Sequence, residues 1–271
     1  MEVQDADIIR EVTRGKIKHV LFDFDGTISL LRKGWQEIMH PMMIEAICGD
    51  ETLTHRMNNR VSEFIDETTG VQTIVQMHGL VDLVREFGFV SEQNILSAQG
   101  YREIYNKALM VPVNARIVKL DDGSVTPDEM CVAGARSFVE AVASQGVSLY
   151  IFSGTNQEDV RNEAGKLQVA HHFTEIWGAL KTMKEYSKEK ILTGMIEQHR
   201  LTGPEMLIIG DGPVEIRLAH EHGCISVGVA SNEKEGGHDP VKHARLLDAG
   251  ADITVPDFTN GQALVKYLFD A

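Results

Sequence analysis

The chain predicts a doubly wound α/β fold with a parallel sheet, interrupted after its first strand by an all-helical insertion. Three observations carry this. Short apolar runs alternate with helical patterns after residue 128, as in a sheet whose two faces are both covered by helices. Between Lys33 and about Leu109 only helical spacing is found. The first apolar run closes on Phe22-Asp23-Phe24-Asp25-Gly26-Thr27, which places polar chemistry where a strand ends.

Residues 5–14 read as a short amphipathic helix ended at Gly15, and a strand follows over 17–22. In the insertion, Trp35, Ile38, Met39, Met42, Met43, Ala46 and Ile47 recur at helical spacing, with Pro41 expected to kink or break that helix. The set of Met39, Met42, Met43 and Met57 reads as helix core. Further helical stretches centre on Phe64–Ile65, on Ile74–Val84 and on Ile95–Ala108, with breaks at Gly49-Asp50, Gly70 and Gly88. After the polar stretch Asp121–Ser124, helices are expected over 130–145, 156–167, 187–200, 214–222, 240–249 and 260–269. Strands are expected over 147–152, 174–177, 206–210, 224–229 and 252–255. Gly146, Gly203-Pro204, Gly223 and Gly250 stand where helix ends precede strands. The reading divides the chain into a core of residues 1–32 and 112–271 and a helical insertion of residues 33–111.

With 271 residues, 43% hydrophobic and 24% charged, the chain has the make-up of an ordinary globular protein. A formal charge of −14 argues against a nucleic-acid partner, which needs a basic face. Cys48, Cys131 and Cys224 are scattered and lack metal-ligand spacing, so they read as free thiols of a reducing compartment. No apolar run approaches a membrane span, and the N-terminus lacks a signal-peptide pattern. A cytoplasmic protein with no membrane partner is expected; monomer and dimer are both open.

In an extended strand, residues i and i+2 share a face, so Asp23 and Asp25 project together. Two such acids repel unless a cation accompanies them, and a hard divalent ion, Mg²⁺ in its commonest form beside phosphates, is the expected one. Gly26 and Thr27 turn the chain and offer backbone N–H groups and a hydroxyl to an anion. Other polar clusters also follow strands, where ligands gather in open α/β sheets. Ser153-Gly154-Thr155-Asn156 opens a helix. Gly210-Asp211-Gly212-Pro213-Val214-Glu215 brings two more acids. Lys188, beside Ser187, opens a further helix, with Lys181 and Lys184 as alternatives for the same role.

This set resembles the haloacid dehalogenase-like superfamily of phosphohydrolases over residues 16–32 and 128–271, with the helical insertion matching that family's cap. The Asp-x-Asp-Gly-Thr pattern is met by Asp23, Asp25 and Thr27, the strand-end hydroxyl by Ser153, the lysine by Lys188, and the last acidic element by Asp211 and Glu215. The resemblance implies a Rossmann-like core and a Mg²⁺-dependent phosphomonoesterase. Asp23 would be the nucleophile, forming an aspartyl-phosphate, and Asp25 the general acid and base. Thr27, Ser153, Gly154 and Lys188 would bind the phosphoryl oxygens. Asp23, the Asp25 carbonyl and Asp211 would hold the metal. Glu215 stands where aspartate is commoner, so it is open between metal contact through water, orientation of Lys188 and a solvated first-turn acid.

The expected substrate is a small phosphorylated metabolite such as a sugar phosphate or phosphoglycolate. Gly49, Asp50, Glu51, Arg56, Gln72, Gln76, His78 and Arg102 are the insertion's candidates for contacting it. Phosphoglucomutase-like transfer to a second sugar hydroxyl is the nearest alternative. A phospho-accepting signalling switch is the alternative from another class.

Overall fold

The computed structural model describes residues 3–180 and 187–270. Its sheet contains β1 (Asp7–Ile8), β2 (His19–Phe22), β3 (Ser148–Asn156), β4 (Glu175–Ala179), β5 (Met206–Gly210), β6 (Ile225–Val229) and β7 (Ile253–Val255). The spatial order is β1-β7-β6-β5-β2-β3-β4. All neighbouring pairs are parallel except β1 with β7. Strands β3 and β4 succeed β2 on one side, whereas β5, β6 and β7 are laid down on the other. The direction of winding therefore reverses at β2, and the crevice beside it is where such sheets bind ligands.

Alternation along each central strand fills both faces. Val20 and Phe22, Leu149 and Ile151, and Leu207 and Ile209 join one core cluster. Leu21, Tyr150, Phe152, Met206 and Ile208 join the opposite one. The first face is covered by α5 (Ala135–Ala143), α6 (Gln157–Lys166) and α10 (Gly261–Phe269), the second by α7 (Lys188–His199) and α8 (Pro213–Glu221). Phe22 is fully buried and packs edge-on against Phe138 and Phe173. Truncating such a ring costs about 3–5 kcal/mol. Helix α9 (Pro240–Asp248) begins with Asp239 as its cap, whose carboxylate accepts from the N–H groups of Val241 and Lys242.

The segment expected as a helix over 5–14 is instead an edge strand. Asp7 and Ile8 pair with Thr254 and Ile253, and the Ile9 and Arg10 N–H groups both donate to the Asp252 carbonyl. The exposed edge of β7 offers backbone partners that a short isolated helix cannot match. The helix expected over 130–145 begins only at Ala135, after a single 3₁₀ turn over Asp128–Met130.

The insertion contains α1 (Trp35–Cys48), α2 (His55–Glu67), α3 (Thr73–Phe87) and α4 (Ala98–Asp121). Met39, Met43, Met57, Met77, Leu80, Tyr101 and Tyr105 form its own apolar core, and Met42 packs against it. Pro41 lies within α1 without ending it. Helix α4 is longer than expected and runs through position 111 into the core, where Ile117 packs against both clusters. Pro112, midway along α4, has no N–H for the carbonyl of Ala108. Among the described residues no helix is long and apolar enough to cross a membrane.

Candidate active site

Strand β2 hands the chain directly to the site. The Asp23 N–H donates to the Ile209 carbonyl at 2.8 Å, continuing the β2–β5 pairing by one residue. The chain then folds into a tight turn: the Ile28 and Ser29 N–H groups both donate to the Phe24 carbonyl. Gly26 carries φ +75°, and a Cβ there would lie 2.2 Å from Asp211 Oδ2. Only glycine permits both that backbone and that approach.

A cavity of about 90 Å³ opens at this strand edge. Asp23, Asp25, Arg32, Ser153, Gly154, Thr155, Lys188 and Asp211 line it from the core. Trp35, Thr69, Gly70, Val71, Thr73, Gln76, Tyr105 and Leu109 close it from the insertion side. The loop between α2 and α3 reaches the core so closely that a Cβ on Gly70, at φ +87°, would sit 2.9 Å from Glu215 Oε2. A neighbouring cavity of about 190 Å³ shares Arg32, Thr73, Gly154 and Thr155 and adds Arg102 and Asn106.

Three cations organise the acids, and each bridges two or more of them. Lys188 Nζ donates to Asp23 Oδ1 at 2.8 Å and to Glu215 Oε2 at 3.1 Å. Arg32 holds Glu163 through Nε and Nη2, with the shortest contact at 2.6 Å, and its Nε lies 3.8 Å from Asp25 Oδ1. Lys242 Nζ donates to Asp211 Oδ2 at 2.8 Å and to Glu233 Oε1 at 3.1 Å. With Asp159 3.5 Å from Arg32 Nη2, seven carboxylates share three cations, a formal excess of four negative charges. Burial drives the Asp23 carboxyl well above its ordinary range; Lys188 opposes this, while Glu215 and Asp211 add to it. Burial also raises Asp25, against the pull of Arg32. For Lys188 burial favours the neutral amine, but Asp23 and Glu215 outweigh it and keep the ammonium protonated.

Asp25 is oriented through one oxygen. Its Oδ2 accepts from Thr155 Oγ1 at 2.8 Å, with Ser153 Oγ at 3.5 Å. Its Oδ1 is buried and has no hydrogen-bond partner among the described residues.

The donor set suits a divalent metal ion. Asp23, Asp211 and Glu215 are buried and each offers an oxygen within 4.8 Å of the others, with negative charge in excess around them. Hard oxygen donors of this kind fit Mg²⁺.

Asp23, Asp25, Ser153, Gly154, Lys188 and Asp211 therefore meet at one cavity. Thr27 does not line it. Its hydroxyl is fully buried and donates to Asp211 Oδ1 at 3.4 Å, so this residue supports an acid where a phosphate contact was expected. Glu215 is not a solvated acid: it is fully buried between Lys188 and the Gly212 N–H. Lys181 and Lys184 lie outside the described residues.

Of the insertion candidates, Gln76 lines this cavity and Arg102 its neighbour. Gly49, Asp50, Glu51, Arg56, Gln72 and His78 line neither. Arg32, Glu163, Lys242 and Glu233 were not anticipated. Thr155 had a local signal in the Ser153–Asn156 turn; Lys242 lies 31 residues beyond its partner Asp211, and that chain would have to be placed first.

Acids, hydroxyls and a lysine are thus gathered at the winding reversal of an α/β core. Residues 20–229 match the haloacid dehalogenase-like hydrolase family, and the chain belongs to it. A phosphoglycolate phosphatase of Aliivibrio fischeri is 24% identical over 120 residues, covering 44% of this chain and 50% of the relative. The chain thus matches about half the length of that curated relative. A β-phosphoglucomutase from Clostridium difficile shares the fold at TM-score 0.61 and 16% identity, over 93% of this chain and 97% of that one. The crystal structure of a predicted phosphoglycolate phosphatase from Haemophilus somnus 129pt does so at TM-score 0.59 and 16% identity, over 92% and 98%.

Proposed function

We propose that the protein hydrolyses the phosphate monoester of a small metabolite, with Asp23 as nucleophile, Mg²⁺ as cofactor and residues 33–111 as a cap that selects the leaving group. One observation carries this reading: Lys188, bonded to Asp23, faces the same small cavity as Asp25, Ser153 and Asp211.

Asp23 attacks phosphorus, the bond to the leaving oxygen breaks, and an aspartyl-phosphate forms. Lys188, held charged by Asp23 and Glu215, with the Ser153 hydroxyl and the Gly154 N–H, binds the phosphoryl oxygens as charge builds on them. Asp25 delivers its proton to the departing alcohol, then removes one from the water that attacks the intermediate. Thr155 donates to its Oδ2, and Arg32 lies beside its Oδ1, so the carboxyl is held from both sides facing the cavity. Asp23, Asp211 and the Asp25 carbonyl would hold the metal, with Glu215 beside them; the bound ion supplies charge compensation for the acids and the phosphate. The small volume of the cavity, narrowed on one side by the insertion, supports a small substrate.

The test is phosphate release from a generic aryl phosphate, then from a panel of phosphorylated metabolites. Activity that requires Mg²⁺ and disappears in Asp23→Asn, with an unchanged circular dichroism spectrum, is expected. Undiminished turnover in excess chelator overturns the metal role. Isomerised sugar phosphate formed without phosphate release overturns hydrolysis in favour of mutase chemistry.

A further inference from the structure

Lys242 stands apart from the other two bridging cations. It comes from α9, on the far side of β5 from Lys188 and Arg32, and reaches back to a single oxygen of Asp211. That oxygen, Oδ2, is doubly engaged: Lys242 Nζ lies 2.8 Å away, and the carboxylate packs on Gly26 where a Cβ would come within 2.2 Å. Oδ1 has a weaker hold, a single hydroxyl from Thr27 at 3.4 Å. The same ammonium takes Glu233 Oε1 at 3.1 Å, and that oxygen also lies close to Gly26. Lys242 is 5% exposed, so these bonds are made out of water's reach.

This arrangement matters because the two common hard cations differ in what they ask of carboxylates. Mg²⁺ demands a compact octahedral shell and takes carboxylates one oxygen at a time, retaining waters. Ca²⁺ accepts six to eight oxygens and readily takes both oxygens of one carboxylate. A lysine that occupies Oδ2 of Asp211 and holds Glu233 aside denies the site its extra oxygens.

We propose that Lys242 is a specificity-determining residue for the metal: by clamping Asp211 Oδ2 and Glu233, it keeps Asp211 a one-oxygen ligand and makes the site discriminate against Ca²⁺ in favour of Mg²⁺. The inference rests on the metal-assisted phosphatase reading. It assigns Lys242 no contact with substrate.

Replacing Lys242 with methionine keeps the apolar stem and removes the charge. Both Asp211 oxygens and Glu233 then become available, and the local negative excess grows by one. Because Lys242→Met leaves two acids, Asp211 and Glu233, without their shared partner, Lys242→Met/Glu233→Gln serves as the second variant. It removes one charge of each sign, which folded proteins tolerate far better than loss of one partner. It still frees Asp211.

Mg²⁺ and Ca²⁺ affinities are measured by isothermal titration on the unliganded protein, with folding checked by circular dichroism. The ratio of Ca²⁺ to Mg²⁺ affinity is expected to rise about tenfold or more in both variants, in line with the effect of outer ligands on metal sites. Lys242→Arg, which keeps charge and hydrogen bond, is expected to stay near the wild-type ratio. A purely structural lysine would lower the melting temperature and leave the ratio alone. An unchanged ratio in the folded variants, with Mg²⁺-dependent phosphate release intact in the wild type, overturns the role of Lys242 and nothing else. A wild-type protein that binds neither ion overturns this inference together with the metal reading beneath it.

Discussion

Arg32 and Glu163 form a buried, two-pronged ion pair at the back of the cavity, with Arg32 Nη2 2.6 Å from Glu163 Oε1. The pair ties the turn after β2 to α6, and Asp25 leans on its near side. Replacing Glu163 by leucine removes the guanidinium's closest partner and leaves it only Asp25 and Asp159, so it is expected to destabilise the fold by about 3 kcal/mol, the low end for a broken buried pair, whereas Arg32→Met/Glu163→Leu should recover part of that loss. Urea unfolding of the three proteins measures it.

Asp25→Asn separates the two halves of the reaction. An aryl phosphate has a leaving group that departs without help from an acid, but the attacking water still needs a base. A burst of about one product equivalent per enzyme is expected, followed by turnover about 10²–10⁴-fold slower than wild type. Stopped-flow absorbance reads both phases; steady, burst-free turnover at the wild-type rate contradicts the assignment.

Gly26→Ala should disable the site without unfolding the core. Its methyl group would meet Asp211 Oδ2, and its φ of +75° is strained for alanine. Half-saturation by Mg²⁺ is expected to weaken about 10–100-fold, measured by phosphate release across a metal titration.

The thiols should be silent. Burial pushes Cys131 and Cys224 up to about 12 and also raises Cys48. At pH 8 a thiol-disulfide reagent is expected to label none of the three rapidly in the native protein and all three after denaturation. The linkage has a definite sign. Unfolded thiols ionise above about pH 8.5 while the folded ones stay protonated. Their contribution to stability is therefore complete below that pH and is lost as pH climbs toward 12. Denaturation midpoints measured between pH 8 and pH 11 should fall accordingly.

Much of the site was legible because its parts sit next to strands whose own pattern is strong. Asp23, Ser153 and Asp211 each follow or end an apolar run, and register alone brings those runs level. The edge strand β1 was not legible, since its conformation depends on the vacant edge of β7, some 245 residues away. Thr27 was legible in position but not in its partner: the turn motif fixes where the residue goes, and its hydroxyl bonds Asp211, 184 residues away. Arg32, Glu163, Lys242 and Glu233 have partners distant in sequence and no spacing of their own. Only the folded chain reveals which cation stands behind each motif acid, with Asp23 and Glu215 sharing Lys188.

Helix α4 carries a last consequence. The insertion begins through a short turn at Gly34 but returns along an unbroken helix of 24 residues, so its two tethers are unequal. Where Pro112 omits one rung, the return tether bends most cheaply. If the insertion acts as the proposed cap, Pro112→Ala, which restores the rung, is expected to stiffen that bend and slow release, read as a lower steady-state kcat with an unchanged burst rate.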